Sequence, residues 1–282
     1  MCLAGGMDVG ALTPVEETAL ATQYARALDA RSSHPILADD VADQVVRRID
    51  YDFEGLGVMP SVVRLVALRA RMLDDRIRAF VAHHPDAVVV DLGAGLDSAV
   101  FRVDPPPTVD WYSVDLHGVI GLRDATLPHR DRSYSVAASI AEAEFLQPIP
   151  ADRPAMVVAD GVFPFLSESA VIAALGRITD HFGEGMIAFN DYGTVSRLNR
   201  FARRVFSRKQ MFKTMYRQWA FPGFDDARRP EHWNPRLHLV AEVTLFGQPE
   251  VASFPLPMRL ASRVGARVPA IASKARVLVY RF

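Results

Sequence analysis

The chain has 282 residues, half of them hydrophobic, and a formal net charge of −1 at neutral pH. This length allows one large α/β domain with an elaboration, or two small domains, and the near-neutral charge argues against a dedicated nucleic-acid binder. The single cysteine, Cys2, cannot build a disulfide framework or a thiolate metal site. No apolar run reaches the roughly 18 residues of a membrane span, and the first residues lack the features of a secretory signal. We therefore expect a cytoplasmic protein with neither a nucleic-acid nor a membrane partner.

Three helices are predicted before the first strand. Thr13, Pro14 and Glu16 have the spacing of a capping box with proline at the first helical position, which predicts a helix start. Apolar residues recur at helical spacing in the segments that follow. The predicted helices cover about residues 14–30, 39–48 and 61–83. We expect them to cover the ligand edge of a sheet.

From Pro85 the sequence alternates strands and helices, which predicts a doubly wound sheet. The predicted strands cover about residues 88–91, 109–115, 134–139, 155–160, 185–190, 237–246 and 275–282, with a helix over about 167–181. We divide the chain into an N-terminal helical cap (1–84), a core (85–193), a basic and aromatic lid insertion (194–235), and C-terminal strands of the core sheet (236–282).

The segment around Asp91 organises this core. Three consecutive valines, Val88 to Val90, predict a strand buried on both faces. Gly93 and Gly95 follow where the strand turns into a helix, and glycines there let the backbone approach a ligand. In a doubly wound sheet the ligand binds beyond the carboxyl ends of the strands. Four predicted strands end in a polar residue: Asp91, Asp115, Ser139 and Asp160.

The acidic residues favour one nucleotide ligand over another. Asp115 follows Asp91 at about the spacing, roughly 20 positions, at which a carboxylate holds a ribose diol. A dinucleotide motif needs a third glycine where this chain has Ser98, and Asp97 adds negative charge where a pyrophosphate would bind. The same charge suits a sulfonium and an ammonium group. The residues thus favour S-adenosylmethionine (SAM), with an NAD-linked oxidoreductase as an open alternative.

Three segments in combination resemble the leucine carboxyl methyltransferase superfamily. They are the glycine motif (89–102), the second-strand motif (111–120) and the motif after the fourth strand (159–166). The resemblance extends over roughly residues 18–282 and is strongest to bacterial polyketide O-methyltransferases of the tetracenomycin carboxy-methyltransferase type. Further segments that fit this branch are 69–74, 137–140 and 279–282.

The resemblance implies a class I SAM-dependent O-methyltransferase with a Rossmann-like, doubly wound seven-stranded sheet, an N-terminal helical cap and a helical lid insertion. The cofactor roles that it implies are Gly93 and Gly95 beneath the methionine part, Asp115 at the ribose, Ser139 and Ile140 beside the adenine, Asp160 and Gly161 at the methyl-transfer site, and Arg71 at the cofactor carboxylate. Asp91, Asp97 and Leu116 complete the predicted cofactor set. The chain departs from the family pattern at His117 (usually proline), Asp160 (glutamate) and Phe165 (tyrosine).

The acceptor is predicted from what methyl transfer requires. In-line displacement needs an aligned nucleophile in a dry site. A carboxylate needs only a cation to position it, whereas a phenol or alcohol needs a base, for which His117 is the candidate. Because no convincing pair of an acid and a histidine is visible, we predict methylation of a carboxylate, or an acidic phenol, of a small secondary-metabolite-like molecule. The predicted acceptor pocket contains Tyr192, Tyr216 and Trp219.

Two further alternatives stay open. One is a methyltransferase acting on the C-terminal carboxylate of a peptide or protein, and the other is a non-catalytic SAM-binding protein, prompted by the changes at Asp160 and Phe165. No metal is predicted, since the histidines lack ligand spacing. Arg102 is predicted to pair with a nearby acid such as Asp97, and it is left out of the site. The oligomeric state is left open.

Overall fold

The computed structural model describes residues 12–13, 15–193, 217–268 and 275–282. Helices and strands are numbered within these ranges. Of the predicted lid insertion, residues 217–235 are described and 194–216 lie outside the described residues.

Three helices precede the sheet, as predicted: α1 (Glu17–Ala30), α2 (Asp40–Arg48) and α3 (Pro60–His83). The predicted capping box forms, because the Thr13 N–H donates to Glu16 Oε2 at 2.8 Å and the Glu16 N–H donates to Thr13 Oγ1 at 3.4 Å. Asp39 caps α2 by accepting a hydrogen bond from the Ala42 N–H. An apolar cluster between α1 and α2 packs these helices together.

The described strands form one seven-stranded sheet in the order β3-β2-β1-β4-β5-β7-β6, which confirms the predicted sheet. The first five strands run parallel, β7 is antiparallel to β5, and β6 is antiparallel to β7. Their bounds are β1 (Val88–Leu92), β2 (Asp110–Asp115), β3 (Ser133–Ala137), β4 (Ala155–Ala159), β5 (Gly185–Asp191), β6 (His238–Thr244) and β7 (Arg276–Arg281).

The valines of β1 bury the strand on both faces, as predicted. Val88 and Val90 join one core layer, which includes α6 (Glu168–His181), and Val89 joins the layer beneath α3. Two shorter helices, α4 (Ala99–Val103) and α5 (His117–Thr126), follow β1 and β2. The strand order reverses between β1 and β4, and this switch point is where open α/β sheets bind ligands.

The C-terminal part departs from the prediction of strands alone. After α7 (Arg229–Trp233) and β6, which ends at the carboxyl edge of the sheet beside the start of β7, come the described residues 245–268. They contain α8 (Leu256–Arg267), which was not predicted. In the described ranges, no helix combines the length and the apolar character that crossing a membrane requires.

Candidate active site

A cavity of about 490 Å³ lies at the carboxyl edge of β1, β2, β4 and β5. Its volume falls within the range of roughly 300–1,000 Å³ that is usual for small-molecule sites. The turn after β1 and the end of β2 supply one wall, and helices α1 and α3 supply another. The predicted residues that line it are Asp91, Gly93, Gly95, Asp97, Asp115, Leu116, Asp160, Gly161, Tyr192 and Trp219.

The glycine turn after β1 needs its glycines. Gly93 and Gly95 have φ angles of +63° and +55°, in the left-handed region that other residues rarely adopt. A Cβ atom on Gly93 would also lie 2.6 Å from Val162 Cγ2. The Gly95 N–H donates to Asp115 Oδ2 at 2.7 Å. The turn thus joins the ends of β1 and β2 at one point of the cavity wall.

Asp115 is held in place by the backbone. Its carboxylate accepts hydrogen bonds from the Gly95 and Leu116 N–H groups, each at 2.7 Å. Burial raises the pKa of Asp115, while these two hydrogen bonds and the nearby Arg123 favour its ionised form. Each carboxylate oxygen can accept more than one hydrogen bond. Asp115 can therefore bind two neighbouring hydroxyl groups without moving.

Asp97 is the centre of a buried ionic network. It pairs with Arg26 at 2.7 Å and with Arg102 at 2.5 Å, and the second contact confirms the predicted pairing. Arg102 also contacts Asp39 at 2.6 Å and Asp74 at 2.8 Å. Burial opposes ionisation of Asp97, but Arg102 and Arg26 outweigh it and hold its pKa well below the usual range. The charge predicted to meet a ligand is therefore largely compensated by the protein.

A second set of contacts links α3 to the ends of β4 and β5. The Arg69 guanidinium contacts the Asp160 carboxylate and donates to the Tyr192 hydroxyl. Arg26 lies 3.5 Å from the same carboxylate. The Tyr192 ring stacks on Trp219 with centroids 5.2 Å apart. Two arginines and an aromatic pair thus stand together at the cavity.

Among the described residues that line the cavity, Asp91 is the acid whose raised pKa makes it neutral near pH 7. It is buried at the end of β1. Burial and the neighbouring Asp97 raise the pKa of Asp91 to about 8, although Arg123 opposes the shift. In the ligand-free protein this carboxyl is therefore mostly protonated at neutral pH. A cation placed beside it would favour release of the proton.

Of the two neighbouring arginines on α3, Arg69 lines the cavity and Arg71 does not. Arg71 is partly exposed, pairs with Asp75 at 3.2 Å, and is absent from the lining. Two positions along a helix correspond to a turn of roughly 200°, so Arg69 and Arg71 point in nearly opposite directions. Arg69 shares the cavity face of α3 with Val62 and Val66. The i, i+4, i+7 spacing of these three residues places them on one face of the helix, but the sequence does not say which face meets the cavity.

Arg26 was also missed, because it comes from α1, far from the glycine motif in sequence. Nothing local to Arg26 distinguishes it from a solvated helix residue, and only the packing of α1 over the turn after β1 brings it to Asp97.

Three further predicted residues, Ser139, Ile140 and His117, do not line the cavity. Ile140 is buried in the core, and the Ser139 hydroxyl accepts a hydrogen bond from the Ala141 N–H. Neither lines the cavity, and β3 ends at Ala137, earlier than predicted. His117 is the exposed first residue of α5 and lies outside the lining. Tyr216 lies outside the described residues.

Comparison with known proteins tests the family that the sequence motifs resemble. The family model for leucine carboxyl methyltransferase matches residues 19–179. The tetracenomycin polyketide synthesis O-methyltransferase TcmP of Streptomyces glaucescens is 45% identical over 179 residues, which are 64% of this chain and 66% of that protein. The SAM-dependent methyltransferase dpfgK of Gibberella zeae is 35% identical over 204 residues, covering 66% of this chain and 68% of that protein.

A solved structure of a candidate methyltransferase from Thermobifida fusca shares the fold, with a TM-score of 0.52 and 16% identity over 91% of this chain and 93% of the other. This likeness supports the predicted class I methyltransferase fold. The family match and the relatives confirm the predicted SAM cofactor and enzyme class over the NAD-linked alternative. The chain belongs to the leucine carboxyl methyltransferase family of SAM-dependent enzymes.

Proposed function

We propose that the chain transfers a methyl group from SAM to a carboxylate, or to a phenol acidic enough to be ionised, of a small secondary metabolite in the cytoplasm. The observation that carries the proposal is that no histidine occurs among the described residues lining the cavity. The acidic residues that line the cavity pair with arginines, accept hydrogen bonds from backbone N–H groups, or are buried. An acceptor that arrives ionised fits such a site, because it needs no base.

The relatives guide the choice of acceptor. The Streptomyces glaucescens protein is named for tetracenomycin polyketide synthesis. We extend this class, a polyketide or a similar acidic metabolite, to the present chain. A cavity of about 490 Å³ agrees with a small-molecule acceptor, since it gives little room for a folded segment of another protein.

The residues present fit SAM, which supplies an electrophilic methyl group on a sulfonium. We assign Asp115 to the ribose hydroxyls and the backbone at Gly93 and Gly95 to the methionine part. Arg69 takes the role that the sequence suggested for Arg71, as the partner of the cofactor carboxylate. Asp91, whose raised pKa leaves it protonated in the free protein, would release its proton beside a bound cation and supply a compensating negative charge.

The acceptor side is formed by aromatic side chains. Phe165, Tyr192 and Trp219 line the cavity near the ends of β4 and β5. Their rings exclude water and can stack on a flat acceptor. The hydrogen bond from Arg69 to the Tyr192 hydroxyl fixes the orientation of that ring. These residues therefore position the acceptor, and the ionised oxygen attacks without a proton transfer in the cavity.

The test is a panel of matched acceptors at saturating SAM. An aromatic carboxylic acid and its acidic phenol analogue should be methylated, whereas the corresponding benzyl alcohol should not. The rate with the carboxylic acid should stay flat between about pH 6 and pH 8, because the acceptor is ionised throughout. Methylation of the alcohol, with a rate that rises through an enzyme pKa, would refute the proposal. Methylation of only a peptide C-terminus would replace it with the protein-directed alternative.

Trp219→Ala separates acceptor binding from cofactor binding. We expect the acceptor KM to rise about tenfold through loss of the ring contact, with SAM affinity unchanged. Trp233→Ala is the matched control, since Trp233 packs beneath Phe224 and Arg229 and is absent from the described lining. Equal loss of acceptor and SAM binding in Trp219→Ala would contradict the assignment.

A further inference from the structure

Helix α8 carries an exposed apolar row. Leu256, Leu260, Val264 and Val268 are 63%, 52%, 59% and 38% exposed, respectively. Residues four apart lie on one face of a helix, so Leu256, Leu260 and Val264 form a continuous row, and Val268 follows directly after the end of α8. The opposite face of α8 packs inward through Met258 and through the buried Ser262 and Gly265. The apolar row is therefore additional to the surface that attaches α8 to the protein.

A row of arginines runs beside the apolar row. Arg259, Arg263 and Arg267 each precede one of its members and repeat at the same interval. No acidic residue occurs between positions 256 and 268. In the described part of the chain these three arginines form no ion pair, unlike most arginines around the cavity. The two rows together are called the α8 stripe below.

The α8 stripe stands near the cavity. Leu245 follows β6 and Ala275 precedes β7 at the carboxyl edge of the sheet, and both line the cavity. α8 packs against the short turn of 3₁₀-helix at Leu245–Gly247. A molecule bound to the stripe would therefore sit beside a segment that forms part of the cavity wall.

We propose that the α8 stripe docks an acidic amphipathic helix of a partner protein. Such a helix places apolar side chains on the row and carboxylates against the arginines, which is how paired helices combine an apolar seam with flanking charges. This interaction is separate from the acceptor proposal and does not depend on it.

The charges favour this occupant over three others. A second copy of the chain would bring three more arginines and no acid to the same surface. The two internal segments outside the described residues, 194–216 and 269–274, contain no aspartate or glutamate. An interfacial membrane helix commonly carries tryptophan or phenylalanine as well as leucine on its apolar face, and α8 carries leucine alone of these three. An acidic helix of another protein can contact the apolar row with its apolar side chains and the arginine row with its carboxylates.

The probe is a fluorescein-labelled amphipathic peptide helix with leucine at every fourth position and glutamate along one flank. We expect saturable binding by fluorescence anisotropy, weakened by added salt. Binding should fall at least tenfold in R259E/R263E/R267E and, independently, in L260S/V264S. The control R47E/R228E/R281E makes the same change in net charge at other exposed arginines and should bind like the wild type. Hydrogen exchange should show protection at residues 256–268 when the peptide is bound.

Several results would overturn the proposal. They are absence of peptide binding, equal binding by a lysine-for-glutamate peptide, and binding that the stripe variants leave unchanged. A wild-type dimer that L260S/V264S dissociates would assign the stripe to a second copy. Capture by phosphatidylglycerol vesicles without peptide binding would assign it to a lipid surface. A large loss of thermal stability in L260S/V264S would show that the chain itself covers the row.

Discussion

The two sides of the cavity are built from different chemistry. The side that we assign to the cofactor, at the ends of β1 and β2, depends on buried charges such as Asp97 and Arg102 that compensate one another. The side that we assign to the acceptor, at the ends of β4 and β5, presents mainly aromatic surface such as Phe165 and Trp219. Buried charges cannot be exchanged singly, whereas apolar surface tolerates changes of shape. The comparison explains how one cofactor site can be retained while the acceptor changes.

The largest expected effect is on stability, through Arg102. Its guanidinium contacts Asp39, Asp74 and Asp97, so Arg102→Ala leaves three buried carboxylates without this partner. We expect a loss of about 3–5 kcal/mol in the free energy of unfolding, measured by urea denaturation. Arg47→Ala is the control, because the Arg47 side chain is exposed and its ion pair with Asp43 should contribute less than about 1 kcal/mol. Equal losses in the two variants would show that the buried charges beside the cavity stabilise the protein no more than exposed charges do.

The next effect is on cofactor binding, through Asp115. Asp115→Ala removes the carboxylate assigned to the ribose and the acceptor of the Gly95 N–H. With hydrogen bonds to charged groups contributing about 1.5–3 kcal/mol each, we expect SAM to bind about a hundredfold more weakly by titration calorimetry. Asp110→Ala, at the other end of β2, should keep SAM affinity, because Asp110 contacts Arg132 and Arg153 instead. Undiminished SAM binding by Asp115→Ala would refute the ribose assignment.

Arg69 and Arg71 provide a matched pair on one helix. Arg69→Ala should weaken SAM binding by tens-fold, since a charge-assisted contact to the cofactor carboxylate is lost, and Arg71→Ala should leave it unchanged. Decarboxylated SAM lacks the proposed partner and should lose little affinity in Arg69→Ala. If it loses as much affinity as SAM, Arg69 acts by supporting the cavity wall, and the carboxylate assignment is wrong.

The same pair shows what the sequence can and cannot predict. Local signals predicted the buried β1, the capping box at Thr13 and the glycine turn, because each depends on neighbouring residues. To predict that Arg69 faces the cavity and that Arg71 does not, one must know how α3 lies over the sheet. Arg26 meets Asp97 only through tertiary packing. Helix α8 does carry apolar residues at helical spacing, so the prediction of strands alone for residues 236–282 overlooked a signal that the sequence contains.

The smallest expected effect is the pH dependence of SAM binding, which tests how the cofactor side of the cavity responds to a bound cation. Burial and Asp97 raise the pKa of Asp91 to about 8, so the free protein carries a proton there below that pH. A bound sulfonium and ammonium favour the carboxylate, and SAM binding should therefore release a proton and tighten severalfold from pH 6.5 to pH 8. Calorimetry at pH 7 in two buffers of different ionisation enthalpy measures the release. S-adenosylhomocysteine lacks the sulfonium charge and should release less.

The free energy of unfolding of the SAM-free protein should change with pH in the opposite direction to the SAM affinity. Because the pKa of Asp91 is raised on folding, the native state holds a proton between about pH 4 and pH 8 that the unfolded chain does not. The contribution of Asp91 to the free energy of unfolding therefore falls as pH rises through this window. Asp91→Asn should remove this dependence and also the proton release on SAM binding. If proton release persists in Asp91→Asn, another group compensates the cation, and the charged side of the cavity is organised around that group instead.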